Sequence, residues 1–303
     1  MFEKILIALD GSKNAEMVLP YAEEIAGKFR SGISLVGVIE NTNIPITSTG
    51  INNNDILNYY LAEITKQVIR EGKYFGVELD KQINYKLLKG HIAQNILAYA
   101  DEINASLIGL TSRGASSHEK WVLGNISAKI LRATKRPVLL VRRVANEKFL
   151  SEKKLIKKIL LPLDGSKIGA AAIQMAETLA AQLNSQITLI HVLEPMTKFG
   201  MYDMNPANPS MDNLHTRRDE VQEYLNKVAY SIKERTGILS ESEIILGYPA
   251  NEIASYATNN DIDLIAMSTH GRTGLQQWVF GSVTDKILHF GDTPVLVVRP
   301  PRI

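Results

Sequence analysis

The chain contains no cysteine, which excludes a disulfide framework and any thiolate nucleophile or metal ligand. It also lacks a strong charge of either sign: 34 Lys and Arg stand against 32 Asp and Glu, for a net charge of +2. A nucleic-acid-binding face needs concentrated positive charge, so no nucleic acid partner is expected. No apolar run approaches the eighteen or so residues of a membrane span, and no membrane partner is expected. The first residues, Met1-Phe2-Glu3-Lys4-Ile5-Leu6-Ile7, open on a strand-like run without the zones of a secretion signal. A cytoplasmic location is the expectation. Familiar catalytic and metal signatures are missing as well. The histidines (His91, His118, His191, His215, His270 and His289) form no metal-ligand pair. No Walker A sequence and no Gly-x-Gly-x-x-Gly follows the first strand, and there is no Gly-x-Ser-x-Gly elbow.

What is present is a repeat. With 303 residues, 45% of them hydrophobic, the chain is long enough for about two domains. Ile5-Leu6-Ile7-Ala8-Leu9-Asp10-Gly11-Ser12-Lys13 matches Ile159-Leu160-Leu161-Pro162-Leu163-Asp164-Gly165-Ser166-Lys167 at a shift of 154 residues. Trp121-Val122-Leu123-Gly124 matches Trp278-Val279-Phe280-Gly281, and Pro137 to Arg142 matches Pro294 to Arg299, both at a shift of 157. Gly90 and Gly247 keep that offset. The lag is too long for a solenoid unit, so a whole domain is duplicated. Copy one is expected over 1–145, a linker over 146–156 and copy two over 157–303.

Within each copy, short apolar runs alternate with helical periodicity. The runs predict strands near 3–9, 33–39, 82–88, 106–111 and 137–142, and again near 158–163, 187–193, 242–246, 262–268 and 294–299. Runs such as Ile187-Thr188-Leu189-Ile190-His191-Val192-Leu193 suit strands covered on both faces. Ala15, Val18, Leu19, Ala22, Ala26 and Phe29 form one apolar helical stripe, as do Ala172, Ala176, Leu179, Ala180 and Leu183. Alternating strand and helix implies right-handed crossovers and a parallel sheet. The fold class is therefore α/β, with two Rossmann-like domains, each a parallel sheet flanked by helices. Pro162 conflicts locally, since proline is disfavoured in a central strand; its place near the strand end moves the boundary rather than the strand.

In open parallel sheets, ligands sit beyond the carboxyl ends of the strands, where strand order reverses. Three segments of each copy reach that edge. Asp10-Gly11-Ser12 and Asp164-Gly165-Ser166 follow the first strand. They read equally as a turn with a helix cap or as an edge carboxylate able to accept from a ribose hydroxyl. After strand four, copy two carries Ser268-Thr269-His270-Gly271-Arg272-Thr273-Gly274 and then Gly281-Ser282-Val283-Thr284. Gly281-Ser282 opens a predicted helix, whose free amides and positive end favour phosphate. Copy one has Thr111-Ser112-Arg113-Gly114-Ala115 and Gly124-Asn125, with Asn125 in place of the hydroxyl. The ends of the second strands, at Val38 and Val192, read as ordinary sheet core or as backbone offered to a base. The loops at 41–55 and 194–213 read as lids or as variable connections.

The combination of Leu-Asp-Gly-Ser after strand one, Thr269-His270-Gly271-Arg272-Thr273-Gly274-Leu275 with Gly281-Ser282 after strand four, and a closing Thr293-Pro294-Val295-Leu296-Val297-Val298-Arg299-Pro300 resembles the universal stress protein family. The resemblance runs nearly the whole length, twice. It implies a five-stranded parallel sheet in each copy and, in many members, binding of ATP. The binding members share Gly, two residues, Gly, nine residues, Gly and a hydroxyl residue. Carried over to copy two, Gly271, Gly281 and Ser282 match, and Ser268 stands where the first glycine belongs. Asp164 would then hold the ribose, Val192 would face adenine, and Val283 and Thr284 would follow the phosphates, with His270 and Arg272 beside them. Any metal would be Mg²⁺ riding on the phosphates. In copy one Thr111 replaces the first glycine, Gly114 and Gly124 remain, and Asn125 replaces the hydroxyl. Copy two is thus the better nucleotide site, and Asp10, Val38, Gly114, Gly124 and Asn125 form a weaker one. No residue is an evident general base, so at most slow ATP hydrolysis is expected. A stress-response sensor is the leading reading; a scaffold or a binder of another small ligand is the alternative. The family also implies dimerisation through the last strand, here between the two copies, with a homodimer of the whole chain as a further assembly.

Overall fold

The computed structural model describes residues 1–40, 53–72, 82–112, 123–142, 154–195, 210–269 and 280–300. Copy one runs β1 (Lys4–Ala8), α1 (Lys13–Glu16), α2 (Leu19–Phe29), β2 (Gly32–Ile39), α3 (Asn53–Gly72), β3 (Ile83–Lys89), α4 (Ile92–Glu102), β4 (Leu107–Thr111), α5 (Asn125–Ala133) and β5 (Val138–Val141). Copy two repeats it with β6 (Lys158–Pro162), a 3₁₀ turn (Gly169–Ala172), α6 (Ile173–Leu183), β7 (Gln186–Leu193), α7 (Ser210–Thr236), β8 (Ser240–Leu246), α8 (Pro249–Asn259), β9 (Leu264–Ser268), α9 (Ser282–Phe290) and β10 (Val295–Val298). The α/β reading of each half stands, with boundaries within a residue or two of the sequence pattern.

The described strands form one ten-stranded sheet in the order β3-β2-β1-β4-β5-β10-β9-β6-β7-β8. All pairs within a copy are parallel, with Ile5 opposite Ile33 in copy one and Ile159 opposite Ile187 in copy two. The central pair, β5 with β10, is antiparallel and sets Val138 opposite Val297 and Leu140 opposite Val295. Strand order reverses between β1 and β4 and again between β6 and β9, which places a crevice at the carboxyl edge of each copy.

The sheet is covered on both faces, so its strands are apolar on both sides. One face buries Ile5, Ile7, Ile159 and Leu161 under the stripes of α2 and α6, including Ala22, Ala26, Ala176 and Ala180. The other buries Leu6, Ile108, Leu160 and Ile265 under α4, α5, α8 and α9. Each core runs through both copies. Pro162 closes β6 opposite Ile190. The Leu163 amide donates to the Ile190 carbonyl on β7, so by alternation an amide at 162 would face β9. The β6–β9 ladder accordingly stops at Leu160, whereas β1 and β4 pair through Ile7.

The segment expected as a charged linker ends in an apolar anchor. Leu155 and Ile156 are buried in the core. Their amides donate to one oxygen of Glu24 on α2, both at 3.1 Å. Arginines from the last strands reach across the centre. Arg142 donates to the Ile287 carbonyl near the end of α9 at 2.7 Å. Arg299 donates to the carbonyls of Arg132 and Thr134 at the end of α5, both at 2.9 Å. Helix carboxyl ends leave carbonyls without helical partners and carry partial negative charge; Arg299 answers both at α5, and Arg142 adds a cationic donor to the Ile287 carbonyl, which also takes the Gly291 amide at 3.2 Å. Among the described residues no helix is long and apolar enough to cross a membrane.

Candidate functional site

At the edge of copy two, β6 leads into Asp164. Its Oδ1 accepts from the Ser166 amide at 3.0 Å and from the Ser166 hydroxyl at 2.7 Å. The Ser166 oxygen in turn accepts from the Gly169 amide at 2.9 Å. Copy one builds the same turn: Asp10 accepts from the Ser12 amide and hydroxyl, and Ser12 accepts from the Ala15 amide at 3.1 Å. The glycine between Asp and Ser has φ of +81° at Gly165 and +85° at Gly11, a left-handed region costly for other residues. Ser12 therefore caps α1, the Ser166 oxygen holds the first amide of the 3₁₀ turn, and both serines orient the carboxylates at the sheet edge. A Cβ on Gly169 would lie 2.3 Å from Asp164 Oδ1, so a larger residue there would require that side chain to shift; copy one carries Ala15 at the equivalent position of its turn.

The second wall comes from the end of strand four. Ser268 ends β9 and is buried with Thr269. The Gly281 amide donates to the Thr269 carbonyl at 2.9 Å. The Thr284 hydroxyl donates to the Ser268 carbonyl at 2.9 Å, which ties the start of α9 to the strand. Thr284 thus has a buried, structural bond as well as a place in the first helical turn. Gly281 is the helix cap in extended conformation and makes no side-chain cap bond. The amides of Ser282, Val283 and Thr284 open the helix without intrahelical acceptors and present positive partial charge to the crevice. Ser282 lies at that edge, while the Val283 side chain packs on the core.

Copy one has the same backbone. The Gly124 amide donates to the Ser112 carbonyl at 2.7 Å, and the Ser127 hydroxyl donates to the Thr111 carbonyl at 2.8 Å. Gly124 caps α5 with φ and ψ of −60° and 145°, against −58° and 147° at Gly281. Among the described residues the two helix starts share this backbone and differ in side chains, with Asn125 in the position of Ser282.

The third wall is the second strand. The Ile190 carbonyl faces β6 and takes the Leu163 amide. Alternation therefore turns the backbone of Val192, two residues on, to the same side, past the end of β6. The equivalent bond from Leu9 to Val36 places Val38 likewise. The side chains of both valines pack against the core. The structure thus brings Asp164, Val192, Ser268, Gly281, Ser282, Val283 and Thr284 to one carboxyl edge, and Asp10, Val38, Gly124 and Asn125 to the other. His270, Gly271, Arg272 and Gly114 lie outside the described residues.

An edge carboxylate, a helix start with amides free of helical acceptors and a strand backbone between them are the donors and acceptors a nucleotide requires. Sequence reasoning missed the tyrosines beside the edge acids. Tyr224 on α7 has its ionisation pushed up by burial and then by Asp164. Tyr60 on α3 is pushed up by burial, by Glu16 and by Asp10. Their only signal was an apolar helical spacing shared with the core.

Comparison with known proteins bears on the same features. The family profile described as the universal stress protein family matches residues 1–142 and 155–299. A universal stress protein of Methanocaldococcus jannaschii is 34% identical over 149 residues, spanning 49% of this chain and 85% of that protein. One from Synechocystis is 23% identical and spans 98% of this chain and 100% of its own. The crystal structure of a universal stress protein from Archaeoglobus fulgidus is similar over 99% of both chains, with a TM-score of 0.70 at 20% identity. That last likeness is one of fold.

Proposed function

Because this chain belongs to the universal stress protein family, matched twice along its length, we propose that it binds an adenine nucleotide, mainly in copy two, and serves as a stress-response sensor. The observation that carries the reading is the start of α9. Gly281 leaves the first amides of the helix facing the crevice, and Ser282 adds a hydroxyl beside them. Phosphate oxygens suit that cradle. Asp164 would accept from ribose hydroxyls, the Val192 backbone would meet the base, and His270, Gly271 and Arg272 would lie beside the phosphates. Mg²⁺ would be held by the phosphates. Binding in copy one would be weaker, because Asn125 replaces the hydroxyl and no glycine matches Gly274. The cytoplasm is the proposed location. The antiparallel β5–β10 pair would replace a contact between separate chains, leaving the molecule a pseudo-dimer.

A second reading, a scaffold or a binder of another small ligand, is favoured by Ser268, whose buried side chain stands where the nucleotide-binding pattern has a glycine. Calorimetric titration of ATP into nucleotide-free protein separates the two. Saturable heat supports the nucleotide reading, and no saturable heat up to millimolar ATP rejects it. Freshly purified protein with excess absorbance at 260 nm would already carry nucleotide. Phosphate release equal to that of a Gly281→Val control would exclude hydrolysis.

A further inference from the structure

Copy one contains a carboxylate that copy two has lost while keeping its partners. Glu16, at the end of α1, accepts a hydrogen bond from the Tyr60 hydroxyl at 3.3 Å and pairs with Lys13 at 2.8 Å. Lys167 stands 154 residues after Lys13, the shift of the surrounding repeat, and at that same shift Glu16 becomes Ala170. Tyr224 is the counterpart of Tyr60: each lies on the helix after the second strand, and Asp164 acts on Tyr224 as Asp10 acts on Tyr60. The hydroxyl of Tyr224 is buried and has no hydrogen-bond partner among the described residues. Burial of a polar group without a partner costs about 1–3 kcal/mol. Beside it, α6 and α7 leave a groove of about 540 Å³ walled by Ala170, Ile173, Tyr224 and Val228. That size suits a small molecule.

We propose that this groove binds a small aliphatic carboxylate, whose charged end takes the place that the Glu16 side chain fills in copy one. It would accept from Tyr224 and face Lys167, with its chain along Ile173 and Val228. The nearby Asp164 does not exclude an anion, since Glu16 and Asp10 already act together on Tyr60 in copy one. The other cations on the groove are already paired: Arg235 is held by Glu177 through guanidinium bonds of 2.8 to 3.1 Å, and Lys227 pairs with Glu223 at 2.6 Å. The proposal is independent of nucleotide binding at the sheet edge.

The test is an NMR titration of the full chain with butyrate, with butyramide and sodium chloride as controls. Butyrate is expected to give saturable shifts at Ala170, Ile173 and Tyr224, and the controls are not. Ala170→Glu supplies the missing acceptor internally and should abolish the butyrate shifts. Tyr224→Phe folds without the buried hydroxyl and should weaken binding roughly tenfold or more, the scale of one hydrogen bond to a charged group. No saturable shifts with butyrate, equal binding of butyramide, or unchanged affinity in Tyr224→Phe would overturn the proposal.

Discussion

Glu23 and Glu177 occupy equivalent places, 154 residues apart, and meet opposite company. Glu177 is held by Arg235 of α7. Glu23, only 2% exposed, faces Glu71 of α3. Burial, with the like charge of Glu71, pushes Glu23 up to about 8 from an ordinary 4.5. Between those values the folded chain holds a proton that the unfolded chain has released. Stability from this residue is therefore greatest at low pH and falls as pH rises through that window. Thermal melts from pH 5 to 9 should show the decline. Glu23→Gln should flatten it, and Glu71→Arg, which installs the pair of copy two, should flatten it too. An unchanged pH slope in both variants would remove Glu23 as its source. The turn glycines give a second residue-scale expectation. Gly165→Ala should cost about 1–2 kcal/mol in denaturant unfolding, the penalty of a left-handed backbone with a Cβ. A cost near zero would mean that the turn relaxes.

At the scale of elements, the central antiparallel pair is short, four residues on each strand, and depends on what surrounds it. Arg299 ties β10 to the end of α5, and Glu24 ties the chain entering β6 to α2. Glu24→Ala would strand two buried amides, at about 1–3 kcal/mol each. Chemical denaturation should report that loss, and faster amide exchange at Leu155 and Ile156 should accompany it; protection equal to wild type would show that these amides have another acceptor. The strands themselves were legible because unbroken β-branched runs suit a sheet covered on both sides. Pro162 was legible as a conflict, and its effect is a ladder to β9 that ends early. The docking of Leu155 and Ile156 was not legible, since two apolar residues in a charged stretch carry no period. Nor was the backbone direction of Gly124 and Gly281: residue type shows that a helix starts, not that both starts are tied to a strand end by the same bond.

The whole molecule is one sheet carrying two carboxyl-edge crevices, with two hydrophobic cores that each pass through both copies. Duplication explains the turns after the first strands and the parallel pairing that the two copies share, both readable from the repeat. The proposed functional asymmetry lies in a few side chains placed on matching backbones: Ser282 against Asn125, Ala170 against Glu16, Arg235 against Glu71. The central claim, a nucleotide site in copy two stronger than that in copy one, is tested most directly by ATP calorimetry on wild type, Gly281→Val and Gly124→Val side by side. One saturable tight site is expected in wild type, retained in Gly124→Val and lost in Gly281→Val, with both variants folded by circular dichroism. Absence of saturable binding in wild type, or equal loss in the two variants, would contradict it.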